Sequence, residues 1–317
     1  MSLRPSAWPS PPRAPWLARL LQTPNLTIVS ALIIGFLLAT SAGAVWLTRL
    51  ATALLPTAPA ALQALTAELG DKILLCGGLL TVVAVRSWWQ YAGVSTRPQL
   101  PGWLRLVWVL LALLMARIGA TIWHLTGVVA GHPNLVHLLP LLVAVVVVAM
   151  ALTALAEELL FRGLLLSGLL AAWGSSRAGI YRAVVVASAV FGAGHLVNLG
   201  PGGQLLAQVA YAAVVGLVWA GLRLRTGSIW PGVILHWLGN TAAMLTMLGS
   251  TSAWAVGMPM LRLGWAHLVF LPLLALSGVG LIEDYCQSLG REESHQQPAT
   301  AEISATRDEQ HTARPGA

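Results

Sequence analysis

The sequence predicts an all-α fold, a polytopic membrane protein of about eight transmembrane helices, and three observations predict it. Of 317 residues, 57% are hydrophobic and only 9% charged, against roughly 25% charged in a soluble domain. Apolar runs of about 20 residues recur along the chain, each long enough at 1.5 Å per residue to cross a hydrocarbon core. The runs are continuous and lack the period-two alternation of a membrane strand, which excludes a barrel. Helices are then the structure that satisfies the backbone in lipid.

Taken in order, the chain opens on RPSAWPSPPRAPW, Pro-rich and irregular, so residues 1–24 are expected as a cytoplasmic N-terminus. The first span, about 26–47, contains ATSAGA (Ala39–Ala44), which would suit a leader-peptide cleavage site. The apolar stretch continues through Val45, Trp46 and Leu47, so it reads as an anchor. Residues 48–72 read as a long link with a surface helix. Further spans are expected at about 73–92, 104–125, 138–160, 183–199, 204–222, 228–248 and 264–282. The run 138–173 is too long for one straight span and too short for two, so a bend at Pro140 or Gly163 is expected. A membrane domain thus occupies 25–282. Residues 283–317 have few apolar side chains and are expected as a disordered cytoplasmic tail.

Charge placement sets the orientation. The net charge of +7 comes from seventeen arginines and one lysine, a balance that points to a GC-rich bacterial source. The arginines form no patch, so a nucleic-acid partner is excluded. Arg4, Arg13 and Arg19 precede the first span, Arg86, Arg97 and Arg105 flank the second link, and Arg177, Arg182, Arg223 and Arg225 occupy the fourth and sixth. The alternate links around 126–137 and 198–203 carry none, with Arg49, Lys72 and Arg262 the outer exceptions. The positive-inside rule then places both termini in the cytoplasm of a multi-pass cell-membrane protein. Most of the fourteen tryptophans, Trp46, Trp88, Trp89, Trp103 and Trp230 among them, fall near expected interfaces, where the ring is anchored. Cys76 and Cys286 are too few and too differently placed for a disulfide framework.

Against this background the stretch ALAEELLFRGLLL stands out. Glu157 and Glu158 are the only acidic residues between Lys72 and Glu283, and a carboxylate at the bilayer centre costs about 2.5–3.5 kcal/mol even on a forgiving scale. Glu158 and Arg162 are i and i+4, the spacing at which side chains meet. Glu157 lies about 100° further round and cannot share that contact equally. An ion pair that merely fixes packing explains Glu158 and Arg162 but leaves Glu157 without a partner. Candidate partners sit elsewhere: His195 in FGAGH, with Gly192 and Gly194 permitting close helix approach, and His236 with Asn240 at i and i+4 in HWLGN. His195 alone is more often a packing residue, whereas two stacked polar side chains should face protein or water. Gln204 and Gln208 are i and i+4 on the sixth span and can line the same cavity. Arg117, His124, His132, His137, Arg262 and His267 read as interfacial, where snorkelling suffices.

At these residues the chain resembles the CPBP family, the intramembrane glutamic endopeptidases that include the CAAX prenyl protease 2, Rce1-like and Abi proteins. The family pattern is EExxxR, FxxxH and HxxxN on successive segments. It reads here as Glu157-Glu158-Leu-Leu-Phe-Arg162, Phe191-Gly-Ala-Gly-His195 and His236-Trp-Leu-Gly-Asn240. The resemblance implies an Rce1-like bundle with its protease-like core at about 138–250. It implies that Glu157 and His195 activate a water, that Glu158 and Arg162 support them, and that His236 and Asn240 form an oxyanion hole. It implies a peptide or protein substrate in or at the membrane, and no cofactor.

Three other classes compete. Glu157, His195 and His236 are also a two-His-one-Glu zinc set, though no helix supplies two ligands as HExxH does, so zinc is not favoured. A proton-coupled transporter would use intramembrane Glu and His similarly, but no repeated halves are visible. A non-catalytic immunity or binding protein on the same scaffold is the third, since fold does not guarantee activity.

Overall fold

The computed structural model describes residues 26–57, 60–98, 107–131, 136–137, 139–174, 176–197, 202–246 and 270–291. Among these there is no strand. The expected N-terminal segment 1–24, the last part of the tail, and Trp103, Arg105, His132, Arg262 and His267 lie outside the described residues.

The chain enters as α1 (Leu26–Leu38), passes through a π-helical turn at Ala39–Gly43 and continues as α2 (Ala44–Leu54). The next helix, α3, runs over Ala60–Val85 and corrects the expected boundaries. Residues 60–72 fall in the expected link with its surface helix, but they join the second span in one continuous helix. They are helical because the charges satisfy one another: Lys72 Nζ lies 2.8 Å from Asp71 and 3.3 Å from Glu68, one turn back. The helix stops at Val85, short of 92, and residues 86–98 form a turn. That turn is pinned from the other side of the bundle. Arg223 donates to Tyr91 O at 3.1 Å, and Trp230 Nε1 donates to Val94 O at 2.8 Å.

Helix α4 (Trp108–Gly131) is followed by α5 (Leu139–Glu158), a π-helical stretch (Leu159–Leu165) and α6 (Leu166–Trp173). The last three form one unbroken helical run of 35 residues, Leu139–Trp173. The geometry changes at the widened turn holding Gly163, one of the two expected positions. Ser176 then caps α7 (Arg177–Gly194), its hydroxyl accepting from Gly179 N at 3.1 Å. Helix α8 (Gly202–Thr226) and α9 (Trp230–Leu245) are joined by a short turn in which Gly227 adopts φ +69, a conformation costly for any side chain. Pro231 sits in the first turn of α9, where its missing N–H would be unpaired anyway. The last helix, α10, covers 270–291. Residues 283–291, expected as disordered tail, therefore belong to a helix.

Three of these runs, Leu110–Gly131, Leu139–Trp173 and Leu206–Thr226, are long and apolar enough to cross a membrane, and Thr27–Leu38 and Val45–Leu54 are shorter apolar helices. The molecule is a helical bundle of membrane character, as the sequence predicts. Its core gathers around the π-helical stretch, where Leu159, Leu160, Leu164 and Leu166 are fully buried. Helix seams depend on small residues. A Cβ on Gly192 would meet Val209 O at 2.8 Å, and one on Gly221 would meet Leu281 Cβ at 2.7 Å. Backbones of α7 and α8, and of α8 and α10, thus approach within a distance only glycine allows. Helix α9 is tied in by Trp237 Nε1 donating to Val147 O at 2.9 Å and by Thr121 Oγ1 donating to Ala242 O at 3.0 Å.

Candidate active site

The two adjacent acids face different ways because consecutive helical residues differ by about 100°. Glu158 turns toward α9 and is 1% exposed. Arg162 Nη1 donates to its Oε1 at 2.9 Å, the expected i,i+4 contact, and the guanidinium is itself buried. Burying two charges is costly unless both are paired and hydrogen-bonded, and the surroundings supply more. His236 Nδ1 lies 2.9 Å from the same Oε1. The Arg162 guanidinium carbon sits 4.0 Å from the centre of the Phe191 ring, a favourable cation–π placement. On α9, Gly232 admits the carboxylate, since a Cβ there would stand 3.0 Å from Glu158 Oε2.

Glu157 points instead into a cavity of ≈ 110 Å³. Met150, Thr153, Glu157 and Phe161 line it from one stripe of α5 and its π-helical continuation, the i, i+3, i+7, i+11 positions of a single face. Glu157 Oε2 is buried and has no hydrogen-bond partner. Its nearest charged or titratable neighbour in the cluster is His236 Nε2 at 3.6 Å. That gap is beyond a direct hydrogen bond and is the separation at which a bridging water is to be sought.

His195 reaches the same cavity from a position the sequence pattern misjudged. It was expected inside a continuous fifth span over 183–199. Helix α7 ends at Gly194, and His195 caps it and opens a single 3₁₀ turn, His195–Val197. Its Nδ1 lies 2.9 Å from Phe191 O. A carbonyl only accepts, so Nδ1 carries a proton, and in the neutral ring Nε2 presents the lone pair. Phe191 holds the ring edge-on at 5.0 Å.

His236 is gripped on three sides: Trp219 stacks on it at 6.0 Å, Phe191 stands edge-on at 6.0 Å, and Glu158 receives Nδ1. Asn240, one turn on, lines the cavity at Glu157 and also a second one of ≈ 520 Å³. The larger cavity is bordered mainly by apolar side chains of α4, α8, α9 and α10, including Leu110, Leu114, Val215 and Leu274. Phe191, His195, Gln208, Asn240 and Ala243 border both cavities.

All six residues singled out from the sequence therefore converge, in two shells. Glu157, His195 and Asn240 line the small cavity, while Glu158, Arg162 and His236 form the hydrogen-bonded support beneath it. Sequence reasoning missed Glu68 and Lys72, which line the small cavity from α3. Lys72, taken as an outer orientation exception, is close enough to feel the charge of Glu157. The signal available was the lone lysine of the chain within a turn of two acids. Among the described residues, no group of three or more His, Cys, Asp or Glu side chains is arranged to hold a metal ion.

Comparison with known proteins agrees with the motifs. Residues 139–242 match the family model of Rce1-like proteins, described as type II CAAX prenyl endopeptidase Rce1-like. The match runs from α5 into α9 and contains every one of the six residues, and the family matched is the one the motifs resemble. No curated protein and no solved structure matches the chain.

Proposed function

We propose that this protein is an intramembrane endopeptidase that hydrolyses a peptide bond of a membrane-associated or CAAX-like substrate. The observation that carries the reading is that Glu157, whose buried Oε2 has no hydrogen-bond partner, lines the same small cavity as His195. A water held there can give its proton to the Glu157 carboxylate as its oxygen attacks the substrate carbonyl, with His195 Nε2 accepting a second hydrogen bond from it. The proton then passes from Glu157 to the leaving amine. Asn240 Nδ2 donates to the oxyanion that forms; one such donor is worth ~3–4 kcal/mol of barrier.

His236 fits a modified version of its expected role. With Nδ1 committed to Glu158, only Nε2 is free, and it faces Glu157 rather than standing apart with Asn240. It donates to the oxyanion only when that nitrogen carries a proton, so Glu158 and Arg162 act by keeping the ring oriented and its charge compensated. The larger apolar cavity takes the apolar part of the substrate. The number of spans, both termini in the cytoplasm and a bacterial source belong to the same proposal, as does hydrolysis without a metal.

Peptides from membranes of cells carrying the active protein or Glu157→Gln test it. One or a few uncut precursors accumulate with the variant, and activity survives 1,10-phenanthroline. Identical peptide profiles would return the reading to a binding or transport protein, and loss of activity with the chelator to a zinc enzyme.

A further inference from the structure

We infer that Gln208 is a substrate-binding residue whose side-chain amide donates a hydrogen bond to a backbone carbonyl of the bound peptide. This deepens the endopeptidase reading and rests on it. Gln208 is 4% exposed, and its Nε2 is buried without a hydrogen-bond partner. Leaving an amide donor unpaired in an apolar setting costs about 1–3 kcal/mol, and an acceptor entering the adjoining cavity would relieve that cost. Gln208 is one of the five residues that border both cavities, so a peptide with one end in the apolar cavity and its scissile bond beside Glu157 runs alongside it.

Position along α8 decides which carbonyl it serves. On one stripe of α8, Gln208, Tyr211, Ala212, Val215 and Trp219 line the apolar cavity. Trp219 is the residue stacked on His236. From Trp219 to Gln208 the helix rises about 16 Å, which takes Gln208 well beyond the ring. The close approach of Gly192 to Val209 and Ala213 places it instead beside the end of α7, near His195. An extended peptide advances about 3.4 Å per residue, so with Asn240 taken by the oxyanion the carbonyl assigned to Gln208 is that of a residue neighbouring the scissile bond. A donor of that kind binds ground state and transition state alike and acts on KM, not kcat.

The test uses full-length protein in detergent and a fluorescent, farnesylated peptide ending in Cys-aliphatic-aliphatic-Met. Gln208→Met keeps the length of the side chain and removes the donor. In the Glu157→Gln background it weakens probe binding about tenfold, the size of one lost hydrogen bond, while the unfolding midpoint stays within a degree or two. In the active background KM rises by the same factor and kcat changes less than about threefold. Replacing each probe carbonyl in turn by a methylene identifies the partner. One replacement weakens binding to the protein with Gln208 about tenfold and leaves binding to Gln208→Met unchanged. Cleavage by the unsubstituted protein with equal KM in Gln208→Met overturns the inference alone, as does a loss confined to kcat. Absence of both cleavage and binding of any probe overturns the endopeptidase reading and the inference with it.

Discussion

Two regions of this molecule use the same side chains in opposite settings. At the centre, Glu157, Glu158, Arg162 and His236 are packed among leucines and aromatic rings. At one end of the bundle, Glu283 and Asp284 of α10 meet Arg177 and Tyr181 of α7 and Arg225 of α8. The Arg177–Glu283 distance of 2.8 Å and the Arg162–Glu158 distance of 2.9 Å are nearly equal, yet Arg177 is 71% exposed and Arg162 is 2% exposed. Distance alone does not rank the two pairs. Water competes at the end of the bundle, whereas at the centre each group depends wholly on the others.

Removing Arg162 sharpens this comparison most. Arg162→Met leaves Glu158 buried beside His236 without its cation, and the expected loss is about 3–5 kcal/mol. Thermal unfolding in detergent measures it, and cleavage should fall with it because His236 loses its fixed partner. A loss under about 1 kcal/mol would show that the centre behaves like the surface.

Gly232→Ala comes next. The added methyl stands 3.0 Å from Glu158 Oε2, and that carboxylate cannot swing away without breaking its bonds to Arg162 and His236. Overpacking of this kind costs about 1–3 kcal/mol. A variant with unchanged stability but lower kcat would locate the strain in the orientation of His236.

The end of the bundle should give the smallest effects. Asp284→Asn costs about 0–1 kcal/mol and less in high salt. Glu283 adds a dependence on pH. Its carboxyl is held below the usual carboxylate range, first by the Tyr181 hydroxyl and then by Arg177. A group whose folded-state value is depressed stabilises the fold fully above its unfolded value and loses that contribution as pH falls through the folded one. Unfolding midpoints of the parent protein and Glu283→Gln should therefore differ near neutrality and converge in acid.

The same contrast explains what the sequence made legible. The helical class followed from apolar runs, and the six central residues stood out because polar side chains in such runs are conspicuous and fall in the EExxxR, FxxxH and HxxxN spacings. The Glu158–Arg162 contact followed from spacing alone. Boundaries failed where charges cancel locally, as in the first half of α3, and where the chain caps a helix within an apolar stretch, as at His195. Gln208 was visible as one of a stacked pair but carried no signal of its own. Its significance lies in which helix it faces, and that is set by Gly192 on a neighbouring element.

The glycine seams carry one more consequence. With Gly192 against α8 and Gly221 against α10 at contact allowing no added methyl, sliding α7 along α8 would press side chains on the Val209 carbonyl, and sliding α8 along α10 would press them on Leu281. Under the proposed function, the side of the small cavity lined by Phe36, Leu37, Thr40, Glu68 and Lys72 is then the one expected to open to a polypeptide.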